Sequence, residues 1–256
     1  MSLADDIAAG RITQETTALG RVPAGISTGR LRVIKGALAA TVSLRDKLAQ
    51  INADRDLSAI GRGKAAQPFV KISAVPELIK LRKQAARSQE MINNDRAALH
   101  KKAIGEPKAT DPLWVQRLWE MTPNKRIAEV LRNPAARAAA LREPELAGID
   151  ARTLTHDGSG EHSRVFELAL QKQVIENFES EAAKIQIAEM SQEILNQAIA
   201  GFTDAIVAMP AVVTNNEVRS FHNRQDLERS ITNDAELSKQ ASRDITLVEK
   251  TEIEFA

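Results

Sequence analysis

The chain has 256 residues and no cysteine, which allows one large domain or two modest ones at roughly 100 to 200 residues each. It excludes a disulfide framework, a thiolate metal site and a cysteine nucleophile. Forty alanines against eight aromatic residues point to a fine-grained aliphatic core suited to helix-on-helix packing. The net charge of +1 hides a polarity, because residues 1–152 hold 26 Lys/Arg against 16 Asp/Glu while residues 153–256 hold 9 against 18. Opposed fields of this kind favour attraction between copies or between the two parts of one copy.

Residues 1–30 read as an irregular N-terminal arm. Ser2 and Asp5 make a capping pattern for a short helix stopped at Gly10. Gly20, Pro23, Gly25 and Gly29 then break any regular element, so the arm needs a surface to lie on. The start lacks the apolar stretch of a secretory signal. The expected address is therefore the cytoplasm or the inside of a virion-type assembly.

Residues 31–108 read as a basic helical hairpin, with 17 basic residues against 7 acidic ones from Arg30 to Lys108. Leu31, Ile34, Leu38, Val42, Leu48 and Ile51 follow helical spacing. Gly61, Gly63 and Pro68 predict a break, and Phe69–Ile72 a brief extended stretch. Pro76 then opens a second helix whose stripe is Leu78, Leu81, Ala85, Ile92, Leu99 and Ala103, with Gly105 and Pro107 beyond its end.

Residues 109–157 read as a short-helix subdomain and hinge. Asp111-Pro112, Thr122-Pro123 and Asn133-Pro134 each place a capping side chain before a proline, the mark of a helix start. Trp114 and Trp119 lie close in sequence, and the expectation is that one anchors the subdomain while the other is a rim or partner contact. Thr155 to Gly160 supply the hinge.

Residues 158–256 read as an acidic long helix followed by C-terminal helices and a strand. From Glu161 to Met209 no proline intervenes, which predicts one helix roughly 70 Å long. Its stripe, with Val165, Leu168, Ile175, Phe178, Ile185, Ile194, Leu195, Ile199, Phe202 and Ile206, drifts round the surface, as expected of a helix with partners on more than one side. Asn215 and Asn216 look like a cap for a further helix, and Asp234–Arg243 like another. Ile245, Leu247, Ile253 and Phe255 then alternate with polar residues, a strand pattern that needs a partner edge. The Phe69–Ile72 stretch or a second copy would provide it. The longest apolar run, Ala205–Val213, has nine residues and contains Pro210, where a spanning helix needs about 20, so no transmembrane segment is predicted.

Chemistry is thinly represented. Gly61-Arg62-Gly63-Lys64 lacks the spacing of a phosphate loop and is followed by Ala65. Ser27 and Thr28 are explained by helix capping. Of the four histidines, His100, His156, His162 and His222, none stands in an HExxH arrangement. The His156, Asp157, Glu161 and His162 group lies in the flexible hinge, without fixed ligand geometry. Arg82, Lys83, Arg87, Lys101 and Lys102 are candidate phosphate contacts, but Phe69 is the only aromatic residue in the basic region, so no row of stacking platforms accompanies them. No motif marks a family.

The sequence thus predicts a mainly α fold comprising a helical hairpin, a proline-punctuated cluster of short helices and one very long helix, with a minor C-terminal strand. The expected role is a non-enzymatic structural or interaction subunit of a multi-copy assembly, without a cofactor. It is expected to be held by helix packing, arm and strand exchange, and charge complementarity. The expected partners are further copies or other subunits, through Trp114, Trp119, Ile175, Phe178, Ile185, Phe202 and the C-terminal strand residues. A nucleic-acid-binding module using residues 30–108, or a helical protein that meets membranes, are the alternatives.

Overall fold

The computed structural model describes residues 22–149, 164–209, 212–214 and 217–233. The residues 1–21 of the arm, the Thr155–Gly160 hinge with its histidines, the helix expected at Asp234–Arg243 and the strand expected from Ile245 to Phe255 lie outside the described residues. What is described is mainly helical. It forms two compact units, one built from residues up to Met91 together with those from Ile187 on, the other from Ile92–Gln186.

In the first unit, α1 runs Thr28–Ala53, with Ser27 accepting a hydrogen bond from the Arg30 amide as its cap. It buries Val33, Ile34, Ala37, Leu38, Leu44 and Ile51, while Leu31, Val42 and Leu48 are only half-buried. The true stripe is therefore turned somewhat from the expected one. The next helix, α2 (Ala59–Phe69), is followed without interruption by a π-helical turn, Val70–Ala74, and by α3 (Val75–Ile104). This corrects two expectations: the glycines and Pro68 do not break the chain, and Phe69–Ile72 is helical, so it is no strand edge for the C-terminal segment. The reason lies in Pro76, which has no N–H and crowds the carbonyl four residues back. In the π turn the Val75 amide reaches Val70, five residues back, and the local widening absorbs the proline inside a continuous helical run.

The α3 stripe is as expected, with Leu78, Leu81, Ala85, Ile92, Leu99 and Ala103 all buried, and Gly105 at φ 69° terminates the helix. Residues 164–209 do not form one long helix. They make α7 (Val165–Asn177) and α8 (Glu179–Val207), broken at Phe178 (φ −139°, ψ 38°). The Asn177 side-chain Nδ2 donates to the Gln173 carbonyl, competing with the backbone ladder. The acids Glu179 and Glu181 suit the fresh helix start that follows.

α1, α2, α3 up to Met91 and α8 from Ile187 close over one core that includes Ile34, Leu44, Leu78, Leu81, Phe202 and Ile206. Three of its buried polar side chains are satisfied locally: Thr41, Ser191 and Thr203 each return a hydrogen bond to the carbonyl four residues back. Gln192 donates to the Ala85 carbonyl at 3.0 Å and ties α8 to α3. Val212–Thr214 and Glu217–Arg219 pair as short antiparallel strands, β1 and β2, with Val213 opposite Val218. Glu217–Arg219, expected within a helix, is thus a strand, while Asn215 and Asn216, expected as its cap, lie outside the described residues. The last helix among the described residues, α9 (Arg224–Asn233), is capped by Asn223, which accepts from the Asp226 amide.

The second unit contains the three short helices at the three prolines, α4 (Asp111–Trp119), α5 (Pro123–Arg132) and α6 (Pro134–Arg142), with α7 packed on α5 and α6. Its core joins Leu99, Leu118, Val130, Ala136, Ala140, Leu141, Ile149, Val165, Ala169 and Val174. Alanine at facing positions of α6 lets these short helices approach closely. Leu168 and Ile175, placed by the sequence on a stripe with partners on more than one side, are 48% and 54% exposed, because Ala169, Leu170 and Val174 form the inner face of α7.

Candidate interaction site

The second unit carries an apolar groove of about 520 Å³, with Pro112, Val115, Trp119 and Leu146 among its lining residues. Arginines fix both ends of α4, the helix that supplies its wall. At the first end Arg142 grips Asp111 through both carboxylate oxygens, at 2.6 and 2.7 Å, and donates to the Ile104 carbonyl at 3.2 Å. Asp111 also accepts from the Lys108 amide at 2.7 Å. Both charged side chains are buried. The hydrogen bond from Arg142 holds the Asp111 carboxyl below its ordinary pKa, against the opposing effect of burial.

At the other end Arg126 donates to four carbonyls: Leu118 at 2.8 Å, Gly148 and Trp119 at 3.0 Å, and Met121 at 3.1 Å. The guanidinium thereby satisfies the orphan carbonyls of a helix C-terminus, where positive charge is favoured. No carboxylate bond to it is among these, and desolvation lowers its pKa. Its Cζ lies 5.4 Å from the Trp119 ring centroid. Gly148, at φ +65°, completes the arrangement, for a Cβ there would run into the Arg126 guanidinium and approach Trp119 to 3.3 Å.

The turn after α6 closes on itself through Ala147 to Glu143, Gly148 to Glu145 and Ile149 to Pro144 backbone bonds. Ala147 and Ile149 point inward, leaving Leu146 outside. Leu113, Trp119 and Leu146 are 70%, 56% and 61% exposed. An exposed tryptophan backed by a hydrogen-bonded arginine loses little freedom when a partner covers it, which is the physics of an interface anchor.

The expected interaction residues fall in different places. Trp119 is in the groove, whereas Trp114 is half-buried against the second core with Arg117 5.3 Å from its ring centroid. Leu118 between them is the fully buried anchor. Ile175 is exposed; Phe178 and Ile185 are partly buried against the second core; Phe202 is buried in the first. Ile245, Leu247, Ile253 and Phe255 are outside the described residues.

Of the candidate phosphate contacts, Arg82, Lys83 and Arg87 belong to the first unit and Lys101 and Lys102 to the second. Arg82 pairs with Glu228 at 2.6 Å, and Lys102 with Glu181 at 3.0 Å beneath the Phe178 ring. Glu181 is held down to about 2 by the Lys102 and Ser180 hydrogen bonds. The Lys83 amine is buried with no hydrogen-bond partner among the described residues.

Among the described residues no group of His, Asp and Glu is placed to hold a metal ion, and no helix is long and apolar enough to cross a membrane. The sequence reading missed Arg126, Arg137, Arg142, Leu146 and Gly148, and took Asp111 only as a helix-start side chain. A signal for two of them was present: Arg126 and Arg137 each stand fourth in a proline-started helix, the end where the dipole disfavours a cation, so each needs a tertiary partner. In comparisons with protein-family models, characterised proteins and solved structures, none matches the chain.

Proposed function

We propose that the chain is a non-catalytic structural or interaction subunit of a multi-copy assembly such as a virion or secretion-type particle. The observation that carries this reading is the groove of the second unit, where two of the most exposed large apolar side chains, Trp119 and Leu146, line a concave apolar surface. Contiguous apolar surface on a soluble unit marks a place that another surface covers. The scaffolding beneath it supports the reading further, since Arg126, Arg142 and Gly148 hold the wall rigid and so reduce the ordering cost of association. Ion pairs occupy Arg82 and Lys102, which favours this role over phosphate binding at those two residues.

Chemical crosslinking of the purified full chain, followed by mass measurement, tests the proposal. A ladder of chain multiples, reduced by Trp119→Ala, is the expected result. A single-chain species under all crosslinking conditions would overturn it.

A further inference from the structure

The helix that walls the groove also carries an apolar side chain outside it. Pro112, Val115, Gln116 and Trp119 of α4 line the groove. Leu113, 70% exposed, stands three positions before Gln116 and so borders the groove on the helix surface. Among the exposed large apolar side chains of the described residues, Leu113 is the one outside the groove that shares a helix with it. Arg142 and Arg126 fix the two ends of that helix, so knob and groove keep one relation to each other.

The charges of the rim are of both signs. Asp111 is neutralised by Arg142, and Glu145 already has a partner. Lys108 and Glu143 remain, both exposed lining residues and neither in an ion pair among the described residues. Both lie at the first end of α4: the Lys108 amide donates to Asp111, and Glu143 follows the arginine that grips Asp111. A partner bearing one sign of charge there would meet one attraction and one repulsion. A second copy of the same face, turned about a two-fold axis, sets each Lys108 against the other copy's Glu143 and meets two attractions.

We infer that this face pairs with itself across a two-fold axis beside the first turn of α4, with Leu113 of each copy in the groove of the other and Lys108 opposite Glu143. The inference rests on the multi-copy reading and names its contact. A two-fold contact closes at two copies, so a larger assembly is built from dimers through a further surface.

The test uses the full-length chain, which has no cysteine of its own. Thr110 is exposed at the start of α4 and makes no side-chain cap bond. In a Thr110→Cys chain at about 100 μM, enough to populate a contact of micromolar affinity, a short bis-maleimide should join chains in pairs, and adding Leu113→Glu should prevent it. In sedimentation velocity, Lys108→Glu and Glu143→Lys should each weaken self-association about tenfold, since both copies' pairs turn repulsive. An equimolar mixture of the two, in which opposite charges face each other again, should recover it. Circular dichroism and thermal melting check that each variant folds. A Thr110→Cys chain that associates without being joined, or charge reversals that leave association unchanged or fail to complement, would overturn this contact while leaving the multi-copy reading in place. A wild-type chain that stays monomeric would overturn both.

Discussion

Arg126, Arg137 and Arg142 are removed from water in three different ways, and the differences set what their loss would do. Arg142 has a buried carboxylate, so Arg142→Met strands Asp111 and should cost about 3–5 kcal/mol in urea unfolding. Arg137, fully buried, bonds Gln173, the Leu131 carbonyl and the partly exposed Glu176, whose carboxylate can rehydrate when the pair is broken. Among the described residues Arg126 has four carbonyls and the Trp119 ring as partners, which gives Gly148 its weight. Gly148 and Gly105 share a left-handed backbone, at φ 65° and 69°, but a Cβ at Gly105 would meet nothing closer than 3.9 Å. Gly105→Ala should therefore cost about 1–2 kcal/mol of backbone strain, and Gly148→Ala clearly more, as chemical denaturation would show. Acid acts on the same unit. Because the folded Asp111 pKa lies below its unfolded value of about 3.9, the pair stabilises fully above that value and loses its contribution as pH falls through the folded pKa. Unfolding followed from about pH 5 to 2 should show this loss in the wild type and not in Asp111→Asn.

At the scale of elements, the three proline-started helices show how far local chemistry was legible. All three start where the proline pairs put them, yet the caps are unequal. Asn133 accepts from the Ala135 and Ala136 amides, whereas Thr122 makes no side-chain cap bond. Asn133→Ala should accordingly cost about 1 kcal/mol, and Thr122→Ala should stay within about 0.5 kcal/mol; thermal melting of the two variants checks the contrast. The stripe of α3 was readable because its apolar residues keep one spacing along the whole helix. The π turn was not, since a proline reads as a stop unless the long-range packing of Val70, Ala74 and Val75 is known. The break at Phe178 was hidden for the opposite reason: no glycine or proline announces it, and Asn177 acts only through the Gln173 carbonyl. The groove itself was half legible. Trp119 could be named from its type and spacing, but Leu146 becomes its neighbour only through the fold that Arg126 and Gly148 hold in place.

For the whole molecule, the charge polarity is partly consumed within the chain. Arg82–Glu228, Lys102–Glu181 and Arg137–Glu176 each join the basic first part to the acidic second part. The first two, half-exposed, add little stability, but all three reduce the field available to draw copies together. Association is then expected to rest on apolar burial with a local charge contribution. Raising salt from about 0.1 to 1 M shortens the Debye length from roughly 10 to 3 Å, and should weaken self-association without abolishing it, as light scattering would report. The account stands on the claim that the exposed apolar surface of the second unit is covered by another copy. Sedimentation velocity of the full chain over a dilution series tests it most directly. The account predicts a sedimentation coefficient that rises with concentration and falls back when Trp119 is replaced by alanine; a single monomeric boundary at every concentration would contradict it.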